Sequence, residues 1–69
     1  MAKESKVAKR VRTYREHLNM SPADLAAKSG VSEAVINSIE KGEVLPALGV
    51  LTKLSRALGQ RLGTFMDDQ

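Results

Sequence analysis

Apolar side chains recur along this chain every three to four positions, which predicts helices rather than strands. A first helix is expected over about residues 5–17, with Val7, Val11, Tyr14 and Leu18 in one stripe and basic residues on its other faces. A second opens on a compound start signal: Ser21 as N-cap, Pro22 at the first helical position, and Asp24 three residues on as capping-box partner. Met20 and Leu25 can staple its entry, and it is expected to end at Ser29, before Gly30. The signal then repeats. Ser32 reads as N-cap, Glu33 suits the positive end of the helix dipole, Val31 faces Ile36, and the third helix is expected to reach about Lys41.

Glu43, Val44, Leu45 and Pro46 read as a loop, after which Leu48, Leu51, Leu54 and Leu58 form the stripe of a fourth helix closed by Gly59. A short segment over residues 62–66 offers Leu62, Phe65 and Met66 and runs into the acidic Asp67, Asp68 and Gln69. The expectation is an all-α, compact bundle of five short helices. The unit from about 22 to 41 is two short helices joined by a very tight turn. No internal repeat, low-complexity run or linker divides the chain.

At 69 residues there is room for one domain over 1–69, burying roughly 60% of the surface its unfolded chain exposes. With Tyr14 and Phe65 as the whole aromatic content, the core must be aliphatic. There is no cysteine, and one histidine, His17, cannot build a metal site; no disulfide, zinc site or other cofactor is implied. No stretch has the apolar length of a membrane span, and the first ten residues lack the apolar segment of a secretory signal, so the chain reads as cytosolic. Scattered carboxylates, and the Asp67–Asp68 pair that a solvated tail explains, assemble no catalytic group, and an enzyme is not expected.

The net charge of +3 conceals an asymmetry. Lys3, Lys6, Lys9, Arg10, Arg12 and Arg15 crowd the first segment against Glu4 and Glu16, a patch that attracts phosphate polyanions or is simply a solvated face.

The most specific pattern lies within residues 22–41. Small Ala26, turn residue Gly30, and inward Leu25, Val31, Ile36 and Ile39 together resemble the helix-turn-helix of the Cro and phage-repressor (XRE-like) family. The resemblance runs from about Val7 to Met66 and includes Ile39-Glu40-Lys41-Gly42 and the Ala57-Leu58-Gly59 ending. It implies a transcriptional regulator of repressor-like fold. Its third helix would enter the major groove of double-stranded DNA while its second lies across the backbone. The matching base-reading positions are Ser32, Glu33, Ala34, Asn37 and Ser38. Asn37 can pair with adenine, Glu33 can accept from a cytosine amine, and Ala34 can touch a thymine methyl; Ser32 and Glu33 are also explained as cap and dipole partner.

Phosphate contacts are expected from Lys41, Lys28 and Arg10, with Lys9, Arg10 and Arg12 equally readable as solvated. The resemblance also implies a partly buried salt bridge between Arg15 and Glu40, and a homodimer on DNA with its self-contact in residues 62–69. Relatives often continue into a sensor domain, and a C-terminal one is expected in a longer protein.

The chain departs from the family in three places. Pro22 replaces a common glutamine and removes an N–H donor, the usually basic loop reads Glu43-Val44-Leu45, and Ala47 stands where a hydroxyl cap is usual. Gly49 within the fourth helix weakens it, which points to a packing or partner reason. The competing reading is a protein-interaction module, antitoxin-like or coactivator-like, using Val44 and Leu45.

Overall fold

In the computed structural model, which describes residues 6–66, the chain forms helices α1 (Lys6–His17), α2 (Pro22–Ser29), α3 (Glu33–Glu40), α4 (Leu48–Ala57) and α5 (Leu62–Met66). The described residues contain no strand. Helix α1 packs on α3 and α5, α2 on α3 and α4, and α4 on α5, so the five elements enclose one core.

The start of α2 is fixed by its own sequence. Ser21 Oγ accepts the Asp24 N–H at 3.0 Å, and Asp24 Oδ2 accepts the Ser21 N–H at 3.0 Å, which completes the capping box with Pro22 inside it. The end is fixed by Gly30, whose φ of +80° lets its N–H return to the Ala26 carbonyl at 2.9 Å. Only three residues, Gly30 to Ser32, separate α2 from α3. Ser29 Oγ accepts the Val31 N–H at 3.1 Å within that turn, and Ser32 Oγ accepts the Val35 N–H at 3.2 Å to start α3. Helix α3 closes one residue earlier than the sequence suggests, with Lys41 as its C-cap.

The core is aliphatic apart from one ring. Val11, Leu25, Val31, Ile36, Ile39, Leu51, Leu54, Ala57 and Leu58 surround Phe65, with Tyr14, Met20, Ala26 and Leu62 packed at its edge. Tyr14 meets Phe65 edge-on at 5.7 Å between ring centroids, fastening α1 to α5.

Two expected stripe positions are not in the core. Leu18 is 48% exposed: it stands just past the end of α1 at His17, where the left-handed φ of 57° at Asn19 turns the chain. Leu48 is 59% exposed: it is the first residue of α4, ahead of the point where that helix meets its neighbours, and burial begins at Leu51. The expected start of α1 at Ser5 lies outside the described residues. Gly49 has no packing reason within the chain, since a Cβ there would meet nothing within 4 Å.

Candidate nucleic-acid interface

Helix α3 buries Ile36, Ile39 and Glu40. At about 100° per residue, that choice sends Ala34, Ser38 and Lys41 to the opposite face, with Glu33 and Asn37 on its flank. Ser32, Glu33, Ala34 and Lys41 are exposed, while Asn37 and Ser38 are half-buried. Four of the five positions marked as base-reading by the resemblance, Glu33, Ala34, Asn37 and Ser38, therefore share with Lys41 the side of α3 away from its buried face, and Ser32 stands at its N-terminal end as the cap. Its two ends differ in charge: Glu33 stands at the N-terminal end and Lys41 at the C-terminal end. Ser32 Oγ is occupied as the acceptor of the cap bond, which leaves its hydroxyl hydrogen to donate. Val35, 39% exposed on α3, was missed in the sequence. Its signal was that it stands outside the inward set of Val31, Ile36 and Ile39.

The orientation of α3 is held by a buried ion pair. Arg15 of α1 donates from Nε to Glu40 Oε2 at 2.8 Å and from Nη2 to Glu40 Oε1 at 2.9 Å, a two-pronged contact across the α1–α3 seam. Its remaining prong, Nη1, donates to the Met20 carbonyl at 2.7 Å, immediately ahead of the α2 cap. One guanidinium thus ties α1, the end of α3 and the entry to α2 together. The hydrogen bonds to Glu40 hold the Arg15 pKa above its ordinary value, against the opposing effect of burial, with the Glu40 and Glu16 charges adding to the rise. Glu16 Oε2 is 4.0 Å from Nη2 on the exposed side.

The three phosphate candidates are not gathered at one place. Lys41 caps α3 and is exposed, and Lys28 is exposed in the last turn of α2. Arg10 instead donates from Nη1 to the Thr64 carbonyl at 2.6 Å, joining α1 to α5. It borders a groove of about 410 Å³ lined by Lys6, Lys9, Arg10, Thr13, Tyr14 and His17, which runs along the side of α1 opposite Arg15. By that placement Arg10 belongs to the α1–α5 seam rather than to the α3 strip.

The start of α2 offers little to an anion. Pro22 has no N–H, the Asp24 N–H is taken by Ser21, and the Asp24 carboxylate stands beside them, leaving the Ala23 N–H alone in the first turn. In the expected self-contact segment, Phe65 is buried and Leu62 packs against the core; Asp67, Asp68 and Gln69 lie outside the described residues.

Comparison with known proteins identifies the family of this fold. A helix-turn-helix family profile (HTH_3) matches residues 11–65. The chain is 38% identical over 56 residues to the uncharacterized HTH-type transcriptional regulator y4dL of Sinorhizobium fredii, covering 81% of this chain and 29% of that protein. It is 39% identical over 59 residues to Multiprotein-bridging factor 1 of Candida glabrata, covering 86% of this chain and 39% of that protein. Among solved structures, the SinR protein/SinI protein complex superposes with a TM-score of 0.86 at 30% identity, covering 90% of this chain and 61% of the matched one. The chain thus spans well under half the length of either of these two curated relatives.

Proposed function

Because the chain belongs to the helix-turn-helix family of transcriptional regulators, we propose that it binds double-stranded DNA with α3 in the major groove and α2 across the backbone. The observation that carries this reading is the solvent-facing strip of α3: Glu33, Ala34, Asn37, Ser38 and Lys41 on one side, with every large side chain of the opposite side buried. Asn37 and Ser38 read base edges, Glu33 and Ser32 reach the first bases, and Ala34 and Val35 present methyl groups to thymine. Lys41 and Lys28 neutralise phosphates on either side. The domain spans 1–69 with its motif at about 22–41, two copies occupy two half-sites one helical turn apart, and the location is cytoplasmic. A sensor domain in a longer protein belongs to the same proposal.

The test separates the two kinds of contact. On a site selected from random duplexes, Lys41→Ala weakens cognate and random DNA alike and reduces the log-affinity versus log-salt slope by about 1. Asn37→Ala costs about 1–3 kcal/mol on the selected site only, with the slope kept. Unchanged cognate affinity for Asn37→Ala removes that residue from base reading. Silence of both substitutions moves the DNA surface elsewhere. That outcome favours the second reading, a protein-interaction module of coactivator or antitoxin type, which the exposed Val44 and Leu45 and the similarity to Multiprotein-bridging factor 1 support.

A further inference from the structure

Helix α1 carries cations on two opposite sides. Arg15 faces Glu40 and holds α3, whereas Lys6, Lys9 and Arg10 line, with Thr13, Tyr14 and His17, the groove of about 410 Å³ on the far side. We propose that this groove is a docking site for an acidic peptide segment of a partner protein. That it fills while α3 is on DNA rests on the reading of α3 as the DNA-facing helix.

Charge selects the occupant first. The groove's lining holds two lysines, an arginine and a histidine and no carboxylate, while Glu16, the acidic residue of α1, stands beside Arg15, 4.0 Å from its Nη2. A concave surface lined by one sign of charge concentrates its potential on a ligand of the other sign. Length comes second. Lys6 and His17 stand at the two ends of α1, so at 1.5 Å per residue the groove runs about 16 Å, the span of about five extended residues. Its cationic and donor groups recur roughly one helical turn apart, at Lys6, at Lys9 and Arg10, at Thr13 and at His17. A row of carboxylates along a peptide meets such a row, and a single phosphate does not.

Nucleic acid suits the groove less well. Arg15 and Glu40 join the opposite side of α1 to the buried side of α3, so α1 stands between the groove and α3, and a duplex seated on the α3 strip lies across the domain from it. Single strands are held on open aromatic faces. Tyr14 is instead half-buried and meets Phe65 and His17 edge-on, at 5.7 and 6.5 Å between centroids. Those same contacts prepare one wall for a ligand. Tyr14 is held against α5, and Arg10 is fixed at the groove's border by the bond from Nη1 to the Thr64 carbonyl at 2.6 Å. Side chains already ordered in this way lose less freedom on binding than mobile ones. The lysines and His17 on the other side are exposed, and exposed ion pairs are individually weak and screened by salt, so docking is modest in affinity and salt-sensitive.

The experiment has two arms. In the first, a short blocked peptide of alternating glutamate and alanine, and its glutamine counterpart, are titrated into the DNA-free chain at low salt and followed by nuclear magnetic resonance. Shifts concentrated at Lys9, Thr13, Tyr14 and His17 are expected with the glutamate peptide alone; their absence, or equal shifts with the glutamine peptide, overturns the proposal. Lys6→Gln with Lys9→Gln, both at exposed positions, is expected to weaken the glutamate peptide about fivefold with the thermal melt unchanged, and an unchanged affinity overturns it. The same shifts with inorganic phosphate at equal concentration overturn it by making the groove a general anion site. Matching shifts in the peptide-free chain on Asp67→Asn with Asp68→Asn overturn it by giving the groove to the chain's own acidic residues. In the second arm a duplex selected by the chain is present at saturation. Peptide affinity, and the duplex affinity of the double lysine variant, are each expected to stay within about twofold of their reference values; a larger loss of either overturns the proposal by assigning the groove to the DNA interface. If no duplex is bound but the glutamate peptide docks as expected, the DNA reading fails and the docking site stands.

Discussion

Replacing Arg15 by alanine removes the guanidinium that joins three segments. Left behind is Glu40, 8% exposed, with both carboxylate oxygens stripped of their donors at 2.8 and 2.9 Å, and the Met20 carbonyl stripped of its donor at 2.7 Å. Breaking a buried ion pair from one side costs ~3–5 kcal/mol, because the surviving charge is stranded in a medium that solvates it poorly. At roughly 0.05–0.15 kcal/mol per residue, a chain of 69 residues has about 3–10 kcal/mol of stability, so the substitution removes at least about 30% of it and can remove all of it. Each 1 kcal/mol shifts the melting temperature of a domain this size by about 4–8 °C, which predicts a fall of at least about 12 °C by circular dichroism. The double variant Arg15→Met with Glu40→Met strands no charge, and it should melt above either Arg15→Ala or Glu40→Met. An unchanged melt for Arg15→Ala refutes the reasoning, as does a double variant whose loss equals the sum of the two single losses.

Ser21→Ala removes the acceptor of the Asp24 N–H, and a loss of about 0.5–2 kcal/mol is expected in urea unfolding, with an unchanged slope against denaturant. Gly49→Ala should raise stability by up to about 1 kcal/mol in the same assay, since the added methyl meets nothing and the helix propensity improves; a loss would reveal an intrachain contact at Gly49. Leu54→Ala, at a fully buried position, should cost ~2–5 kcal/mol and leave little folded protein at 37 °C.

What the sequence made legible was local. The caps of α2 and α3 are determined by Ser21, Pro22, Asp24, Gly30 and Ser32 acting on neighbours within four residues, and all take their expected roles. Once those caps set the phase of α3, its buried and solvent faces follow from helical spacing alone, and so the candidate strip was visible before any packing was known. The failures arose where burial depends on how elements meet. Leu18 and Leu48 have core-like character and helical spacing, but both sit at helix ends where the chain is turning. Ala8 and Ser55 are buried without their residue type announcing it. The bond from Arg10 to the Thr64 carbonyl joins residues 54 positions apart, which no local pattern encodes.

If α3 faces DNA as proposed, the departures from the family pattern change how binding is distributed over the surface. The start of α2 retains a single open N–H beside a carboxylate, Arg10 is engaged with α5, and the loop after α3 presents Glu43 in place of cations. Lys28 and Lys41 remain as the exposed cations of the two-helix unit. With about 0.9 counterions released per phosphate neutralised, a copy using these two has a log–log salt slope near −2, far shallower than a protein making six to ten such contacts. On the proposed reading, one copy would hold DNA weakly at physiological salt, and base contacts from α3 would carry a larger share of the affinity, which a single-site titration at two salt concentrations checks.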